Sequence, residues 1–176
     1  MKLKQMLGPV PAIDGAHFNT FTTFKDISPD SPPVIPQAYQ ENGVDVEIKA
    51  WGEFSTTGTP TLQLGLWINT IATLLIDTGA ITTGSGAVAW LWELYYKGRI
   101  KGNGVGGSLK GYGWVNFPTS LTAATVTRLP TTAAARTKSV DLSMPRAVGV
   151  GAAWGTSSLS NDVQCYGLDV TLGTGL

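Results

Sequence analysis

The segment IKAWGEFSTTGTPTLQLGLWI, residues 48–68, decides the fold because two runs of alternating apolar and polar residues flank a polar link. The apolar positions of the first run, which starts before the quoted segment, are Val44, Val46, Ile48, Ala50 and Phe54. Those of the second run are Leu62, Leu64, Leu66 and Ile68. A period of two is typical of strands that bury one face. The link contains Gly58 and Pro60, which interrupt a strand, so the segment predicts a β-hairpin.

Similar runs continue to the end of the chain and predict an all-β domain. The expected strands lie at about 44–54, 61–69, 71–76, 87–97, 109–117, 121–127, 138–142, 147–154 and 163–172. Short strands at this spacing indicate a sandwich or barrel of about eight strands. The aromatic run at 87–97 favours a strand buried on both faces over a helix. We therefore expect Trp90, Trp92 and Trp114 in the core.

Residues 1–40 differ from residues 41–176 and predict an extended arm ahead of a β-sandwich domain. Six of the ten prolines fall in this arm, and no alternation is sustained there. Its aromatic residues recur every third position, which would suit a helical face, but the threonines and Asn19 around them are poor helix formers. A disordered terminus is the alternative, but such termini are usually poor in aromatic residues. We therefore expect an ordered, extended arm that places these rings in a groove. The residues expected to bind a partner are Phe18, Phe21, Phe24, Ile27, Val34 and Ile35. Whether the groove belongs to the same chain or to a partner stays open at this point.

The composition fits one β-domain with extensive contacts to partners. The chain has 176 residues, only 14% of them charged, and 22 glycines. A soluble domain that stands alone normally carries more charge. The single cysteine, Cys165, excludes an internal disulfide. No apolar run is long enough for a membrane span, and prolines and Asp14 interrupt any signal-peptide pattern near the start.

The formal charge is zero, but the charges are unevenly distributed along the sequence. Residues 41–96 contain six acidic residues and one basic residue, whereas residues 97–146 contain eight basic residues and one acidic residue. Strands from the two halves that interleave in space would cancel this difference. Strands that stay apart would leave opposite patches, which suit head-to-tail contact between copies.

The residues that catalysis requires are scarce. His17 is the only histidine, no G-x-S-x-G motif is present, and one cysteine with one histidine cannot form a zinc site of the Cys/His type. Asp45, Glu47 and Glu53 share one strand face, where a carboxylate pair for glycoside hydrolysis is conceivable but a solvated strand face is the simpler interpretation. We expect no enzyme activity, no cofactor and no metal.

The run GNGVGG at residues 102–107 matches the dinucleotide-binding pattern G-x-G-x-x-G in form only. A strand-like sequence follows it where a helix is required, and no acidic residue occurs between Glu93 and Asp141. It therefore predicts a glycine-rich hairpin loop. The basic residues beside it form either a solvated rim or a site for an anionic partner: Lys97, Arg99, Lys101 and Lys110. No repeated pattern of basic and aromatic residues indicates specific nucleic-acid recognition.

Trp51 and Trp67 lie on the polar faces of their predicted strands. A tryptophan exposes a large apolar area, and aromatic residues are enriched where subunits meet. Either the arm or a loop covers them within one chain, or they form a subunit interface.

Several stretches resemble a β-module in virion proteins of tailed bacteriophages. They are Asn19-Thr-Phe-Thr-Thr23, Ser55-Thr-Thr-Gly-Thr-Pro-Thr-Leu62, Val140-Asp-Leu142, the strand ending in Ala-Ala-Trp154, the serine-rich turn to Asn161 and the closing strand to Leu172. The resemblance covers most of residues 19–172. It implies a jelly-roll-like two-sheet sandwich, commonly trimeric, with no catalytic residues.

The resemblance further implies a capsid decoration protein, located on the outside of a phage head after assembly in the host cytoplasm. A homotrimer would bridge copies of the major capsid protein and reinforce capsomer contacts, with the arm as the expected docking element. The competing hypothesis is a tail or fibre module that binds a host-surface carbohydrate through exposed aromatic residues such as Trp51. A glycosidase is the least favoured alternative.

Overall fold

The computed structural model describes residues 4–7, 16–29 and 32–174, and the chain forms a jelly-roll-like β-sandwich of two antiparallel sheets, as the sequence predicts. The strands are β1 (Lys4–Leu7), β2 (Lys25–Asp26), β3 (Val34–Ile35), β4 (Val44–Ser55), β5 (Thr61–Ile68), β6 (Thr70–Asp77), β7 (Ile81–Thr82), β8 (Trp90–Gly102), β9 (Ser108–Ser120), β10 (Ala123–Leu129), β11 (Thr137–Ser139), β12 (Arg146–Trp154) and β13 (Asp162–Thr174). Two short 3₁₀ helices span Gln37–Tyr39 and Ala134–Arg136.

The large sheet has the strand order β1-β13-β4-β8-β9-β10, with β11 also pairing with β9. The small sheet has the order β2-β12-β5-β6, with β3 also pairing with β12 and β7 with β5. All nine predicted strands have a counterpart, most within three residues at either end. The strands that sequence analysis missed are short: β1, β2, β3 and β7.

The predicted hairpin between residues 44–54 and 61–69 is wrong. β4 pairs with β8 and β13 in the large sheet, whereas β5 pairs with β12, β6 and β7 in the small sheet. The link at residues 56–60 therefore carries the chain across the core from one sheet to the other, where the backbone N–H of Thr56 donates to the carbonyl of Ala87. Alternation determines which face of a strand is buried but not which strand lies beside it.

The core lies between the inner faces of the two sheets and contains the predicted alternating residues. Every apolar position of both runs is buried, from Val44 to Phe54 on β4 and from Leu62 to Ile68 on β5. The largest fully buried side chains include Trp92, Trp154 and Tyr96. Burial of Cys165 raises the pKa of its thiol to about 12.

The expectation that residues 87–97 are buried on both faces is wrong. β8 begins at Trp90 and alternates, so that Trp92 is in the core while Leu91 and Glu93 are exposed. Trp90 packs half-buried against the core, and Trp114 is half-buried on the outer face of the large sheet. Aromatic residues occupy both faces of these strands, and composition alone did not separate the buried ring from the exposed one.

Residues 102–107 form the predicted hairpin loop between β8 and β9. Gly104 adopts a φ of +74°, which favours glycine. The backbone N–H groups of Gly107 and Leu142 both donate to the Gly104 carbonyl, at 3.0 and 2.8 Å. The loop is thus held by its own turn and by the segment before β12.

Candidate interaction surface

The outer face of the large sheet carries a row of aromatic residues, and we call it the open face. The strand register places Trp51 beside Glu93 and Glu93 beside Asn116. The next row contains Lys49, Tyr95 and Trp114. All these side chains point away from the core because the residues between them on each strand point inward. The open face therefore has an aromatic centre surrounded by polar groups.

Trp51 lies against the backbone of Gly167 on the neighbouring strand. A methyl group at Gly167 would overlap the indole ring, so the ring needs a glycine at this position. The register between β4 and β13 shifts between Cys165 and Gly167, which places this glycine opposite Trp51. The indole rests on the sheet and remains 37% exposed.

Tyr95 and Trp114 stack on each other beside Trp51. Their ring centroids are 5.5 Å apart with an interplanar angle of 24°. The ammonium of Lys49 lies 6.0 Å from the centroid of the Tyr95 ring. Partial burial, and then the charge of Glu47, raise the pKa of the Tyr95 phenol above its ordinary value. Tyr95 therefore stays a neutral hydrogen-bonding group at physiological pH.

Two ion pairs on the open face join neighbouring strands. Lys97 Nζ donates to Glu47 Oε1 at 2.7 Å, and Arg99 Nη2 donates to Asp45 Oδ2 at 2.9 Å. Each pair joins the acidic half of the sequence to the basic half. The interleaving interpretation is therefore correct for these residues, which do not form opposite patches. The ion pair also raises the pKa of Lys97, chiefly through the hydrogen bond to Glu47.

The outer face of the small sheet, which we call the covered face, is occupied by the protein's own chain. Phe24 lies over Gly151 and Gly65, where added methyl groups would crowd its ring. Trp67 lies over Gly149 in the same manner and is only 6% exposed. The arm thus places an aromatic ring in a groove, as predicted, and the groove belongs to the same chain.

Strands β2 and β3 of the arm extend one edge of the small sheet by pairing with β12. The backbone N–H of Ile27 donates to the Val150 carbonyl at 2.9 Å. The Ser28 hydroxyl accepts from the Val150 N–H at 2.8 Å. The described part of the arm is therefore integrated into the sandwich.

These positions correct several of the predicted partner-binding residues. Ile27 and Ile35 are buried in the protein's own core and cannot reach a partner. Phe18 and Phe21 pack partly against that core, and Phe24 is half-buried. Val34 alone among the six is exposed. Trp67, which was predicted at a subunit interface, is likewise buried within its own chain, whereas Trp51 remains accessible.

Within the arm, His17 Nδ1 lies 2.5 Å from Asp162 Oδ2 of β13 on the exposed surface. In the described ranges, no group of three or more His, Cys, Asp or Glu residues is arranged to hold a metal ion. No helix within those ranges is long and apolar enough to cross a membrane.

An ion-pair cluster holds the start of β12 beside the turn between β5 and β6. Arg146 Nη2 lies 2.6 Å from Asp141 Oδ2, and Arg146 Nη1 donates to Asn69 Oδ1 at 3.1 Å. The hydroxyl and backbone N–H of Ser143 donate to Asp141 Oδ1 at 2.6 and 2.9 Å. Hydrogen bonds from Ser143, and then from Arg146, lower the pKa of Asp141 to about 2.

One exposed apolar region was missed by sequence analysis. A depression of about 350 Å³ lies where the β9–β10 turn approaches the start of β8, and its lining includes Trp90, Leu91, Pro118 and Leu121. Leu91 and Leu121 are mostly exposed. The available signal was Leu121, an apolar residue in a turn where polar residues are usual.

Comparisons with known proteins give no family. No protein-family model matches the sequence, and no curated protein matches it. Similar solved structures include arcelin-5, a lectin-like defence protein from Phaseolus vulgaris, with a TM-score of 0.44 and 6% identity over 97% of this chain and 92% of that chain. Lectin UEA-II complexed with galactose has the same TM-score and coverages at 9% identity. Winged bean acidic lectin complexed with methyl-alpha-D-galactose has a TM-score of 0.38 and 10% identity, over 99% of this chain and 93% of that chain. At these TM-scores the likeness gives no information about a ligand of this chain.

Proposed function

We propose that the protein is a structural protein of a tailed-bacteriophage virion, a capsid decoration protein on the outside of the head. It forms a homotrimer, bridges neighbouring copies of the major capsid protein and reinforces their contacts. It performs no catalysis. The observation that carries the proposal is the open face, where Trp51 is 37% exposed near the half-buried rings of Tyr95 and Trp114.

The open face is suited to a contact between subunits because it combines an accessible aromatic area with charges that are already paired. Aromatic residues are enriched at subunit contacts. Asp45 and Glu47 have basic partners within the same sheet, so contact with another subunit does not leave these two carboxylates isolated. A trimer then presents three identical docking surfaces, and three simultaneous weak contacts give strong overall binding. The resemblance to phage virion modules supports the same assignment.

Native mass spectrometry at micromolar concentration tests the trimer. We expect three 18.5 kDa chains per particle, and we expect Trp51→Ala to shift the protein towards the monomer. Tyr39→Ala is the matched control, because Tyr39 is 39% exposed but lies in the arm. A wild-type protein that stays monomeric would refute the trimer.

Capsid binding is tested with heads purified from the encoding phage after deletion of this gene. We expect the wild-type protein to add back to these heads in a fixed copy number that electron microscopy can locate. A protein that sediments apart from the heads would refute the decoration role.

A carbohydrate-binding tail or fibre module is the second candidate, favoured by the position of Trp51. Its indole rests on Gly167, and Asn116 Nδ2 donates to Glu93 Oε2 at 3.2 Å in the same row of the sheet. An indole with a carboxylate and an amide nearby suits the apolar face and hydroxyl groups of a sugar. Binding to a glycan microarray that Trp51→Ala abolishes, without binding to heads, would favour this candidate.

A further inference from the structure

We infer that β10 and the adjacent depression form a docking site for an extended apolar segment of the major capsid protein. This inference rests on the proposed function and identifies which part of the molecule meets the capsid. It also replaces the arm as the docking element, because the buried arm residues Ile27 and Ile35 are unavailable. We call the surface formed by β10 and the depression the docking site.

The first observation is the free edge of β10. This strand ends the large sheet, and among the described residues it pairs only with β9. Its residues 123–128 are all exposed, so both of its faces as well as its outer edge meet solvent. A free edge presents unpaired N–H and C=O groups that pair readily with another strand.

The second observation is that this edge lacks most of the features that usually block pairing. Proteins protect edge strands with lysine, proline, inward charges or bulges. Here residues 123–127 read AATVT and contain neither a charge nor a proline. A single register shift occurs between Ala123 and Ala124, and Arg128 is the only charged residue of the strand. The edge therefore accepts an added strand along most of its length.

The third observation is that the depression continues from this edge. Ala123 and Ala124 of β10 line it together with Leu91 and Leu121. None of its lining residues is charged. Val126, further along β10, is also exposed. An added strand thus has an uncharged pocket for one of its side chains at the start of β10, lined by apolar side chains and by Asn116, Ser120 and Thr122, and an apolar contact further on at Val126.

The chemistry of the docking site selects a polypeptide. A nucleic acid or an acidic glycan requires basic groups, and the depression has none. A neutral sugar is held by an aromatic ring face with polar groups around it, which the open face offers at Trp51. An extended peptide satisfies the free backbone groups of β10 and fills the depression with an apolar side chain, in the manner of strand addition.

The test uses full-length protein and heads purified without it, with Leu121→Asp and Val126→Asp as the variants. Val105→Asp is the matched control, because Val105 and Leu121 are both 79% exposed but Val105 lies in the 102–107 loop. Leu121→Ser tests the same contact without adding charge. We expect unchanged melting and trimer mass, normal head binding by Val105→Asp, and at least about tenfold weaker binding by the other variants. Binding of the wild-type protein should persist in 1 M sodium chloride, because apolar contacts are not screened.

The other outcomes separate this inference from the proposed function. If the wild-type protein and all variants bind heads equally, the docking site is wrong while the decoration role stands. If Leu121→Asp abolishes the trimer, the site binds a second copy, which overturns the inference. If salt removes binding and Val105→Asp also weakens it, the basic hairpin is the docking element instead. If the wild-type protein does not bind heads, the decoration role and the docking site both fail.

Discussion

The two outer faces of the sandwich differ in which part of the chain packs an aromatic ring against the sheet. On each of them an aromatic ring lies on a glycine: Phe24 on Gly151 of the small sheet, and Trp51 on Gly167 of the large sheet. On the covered face the arm supplies the ring and adds two strands at the sheet edge. On the open face the ring belongs to the sheet itself and remains exposed.

This difference separates residues that hold the subunit together from residues that are available to a partner. A tryptophan on the polar side of a strand has the same sequence signature in both settings. Trp67 is enclosed within its own chain, whereas Trp51 is 37% exposed, so we expect Trp67 to contribute more to the stability of the folded chain. Substitutions on the covered face should therefore affect folding, and substitutions on the open face should affect assembly.

The largest effect is expected from removal of the arm. Deleting residues 1–36 removes Phe24, Ile27 and Ile35 and exposes the edge of β12, so we expect insoluble protein rather than a folded β-body. Ile27→Ala is the milder version, and its cavity should lower the free energy of unfolding by about 2–5 kcal/mol. Val34→Ala, on the exposed side of the arm, should change it by less than about 0.5 kcal/mol. Urea unfolding measures the change in free energy of unfolding for both substitutions. A deletion variant that is soluble and folds cooperatively would show that the arm is dispensable.

The next effect distinguishes the two tryptophans. Trp67→Ala should lower the free energy of unfolding by about 3–5 kcal/mol because it empties an enclosed site. Trp51→Ala should lower it by less than about 1 kcal/mol when measured on the monomer, because its ring is already in contact with water. Unfolding followed by circular dichroism provides both values. Equal losses would remove the distinction between the faces.

A smaller effect is expected at the two glycines. Gly151→Ala crowds a ring that the arm holds in place, and overpacking of this kind commonly destabilises by about 1–3 kcal/mol. Gly167→Ala crowds the Trp51 ring, whose outer side faces solvent, so we expect a smaller loss than for Gly151→Ala. Thermal melting of the two variants compares them directly. The reverse order would show that Trp51 is held more tightly than its exposure indicates.

The smallest effect is the loss of stability at low pH through Asp141, which pairs with Arg146 at the start of β12. The pKa of Asp141 falls from an ordinary 3.8 to about 2 in the folded chain. The folded state therefore binds this proton less readily, and the resulting stability is present above about pH 4 and is lost as the pH falls through 2. Asp141→Asn should flatten the decline of the melting temperature between pH 4 and 2. Ser143→Ala, which removes the hydroxyl donor, should give an intermediate slope, and an unchanged slope in both would assign the decline to other carboxylates.

Much of the fold could be predicted because period-two alternation reports burial directly. It located the core residues from Val44 to Phe54 and from Leu62 to Ile68. It did not identify strand partners, because β4 and β5 each bury one face in the core from opposite sheets and would show the same alternation in a hairpin. The two-residue strands β2 and β3 are too short to show any period. The candidate surface was only partly predictable, since the exposure of Trp51 and the burial of Trp67 depend on the path of the arm.

The buried cysteine allows the rate at which the folded protein opens to be measured. Cys165 is the only cysteine in the sequence, lies in the core of the large sheet, and has a thiol pKa of about 12. Its thiolate, the form that reacts, is both scarce and enclosed in the native state. A maleimide added to folded protein therefore labels it only as fast as the sandwich opens around β13. The rate of mass gain reports the frequency of that opening without any engineered probe.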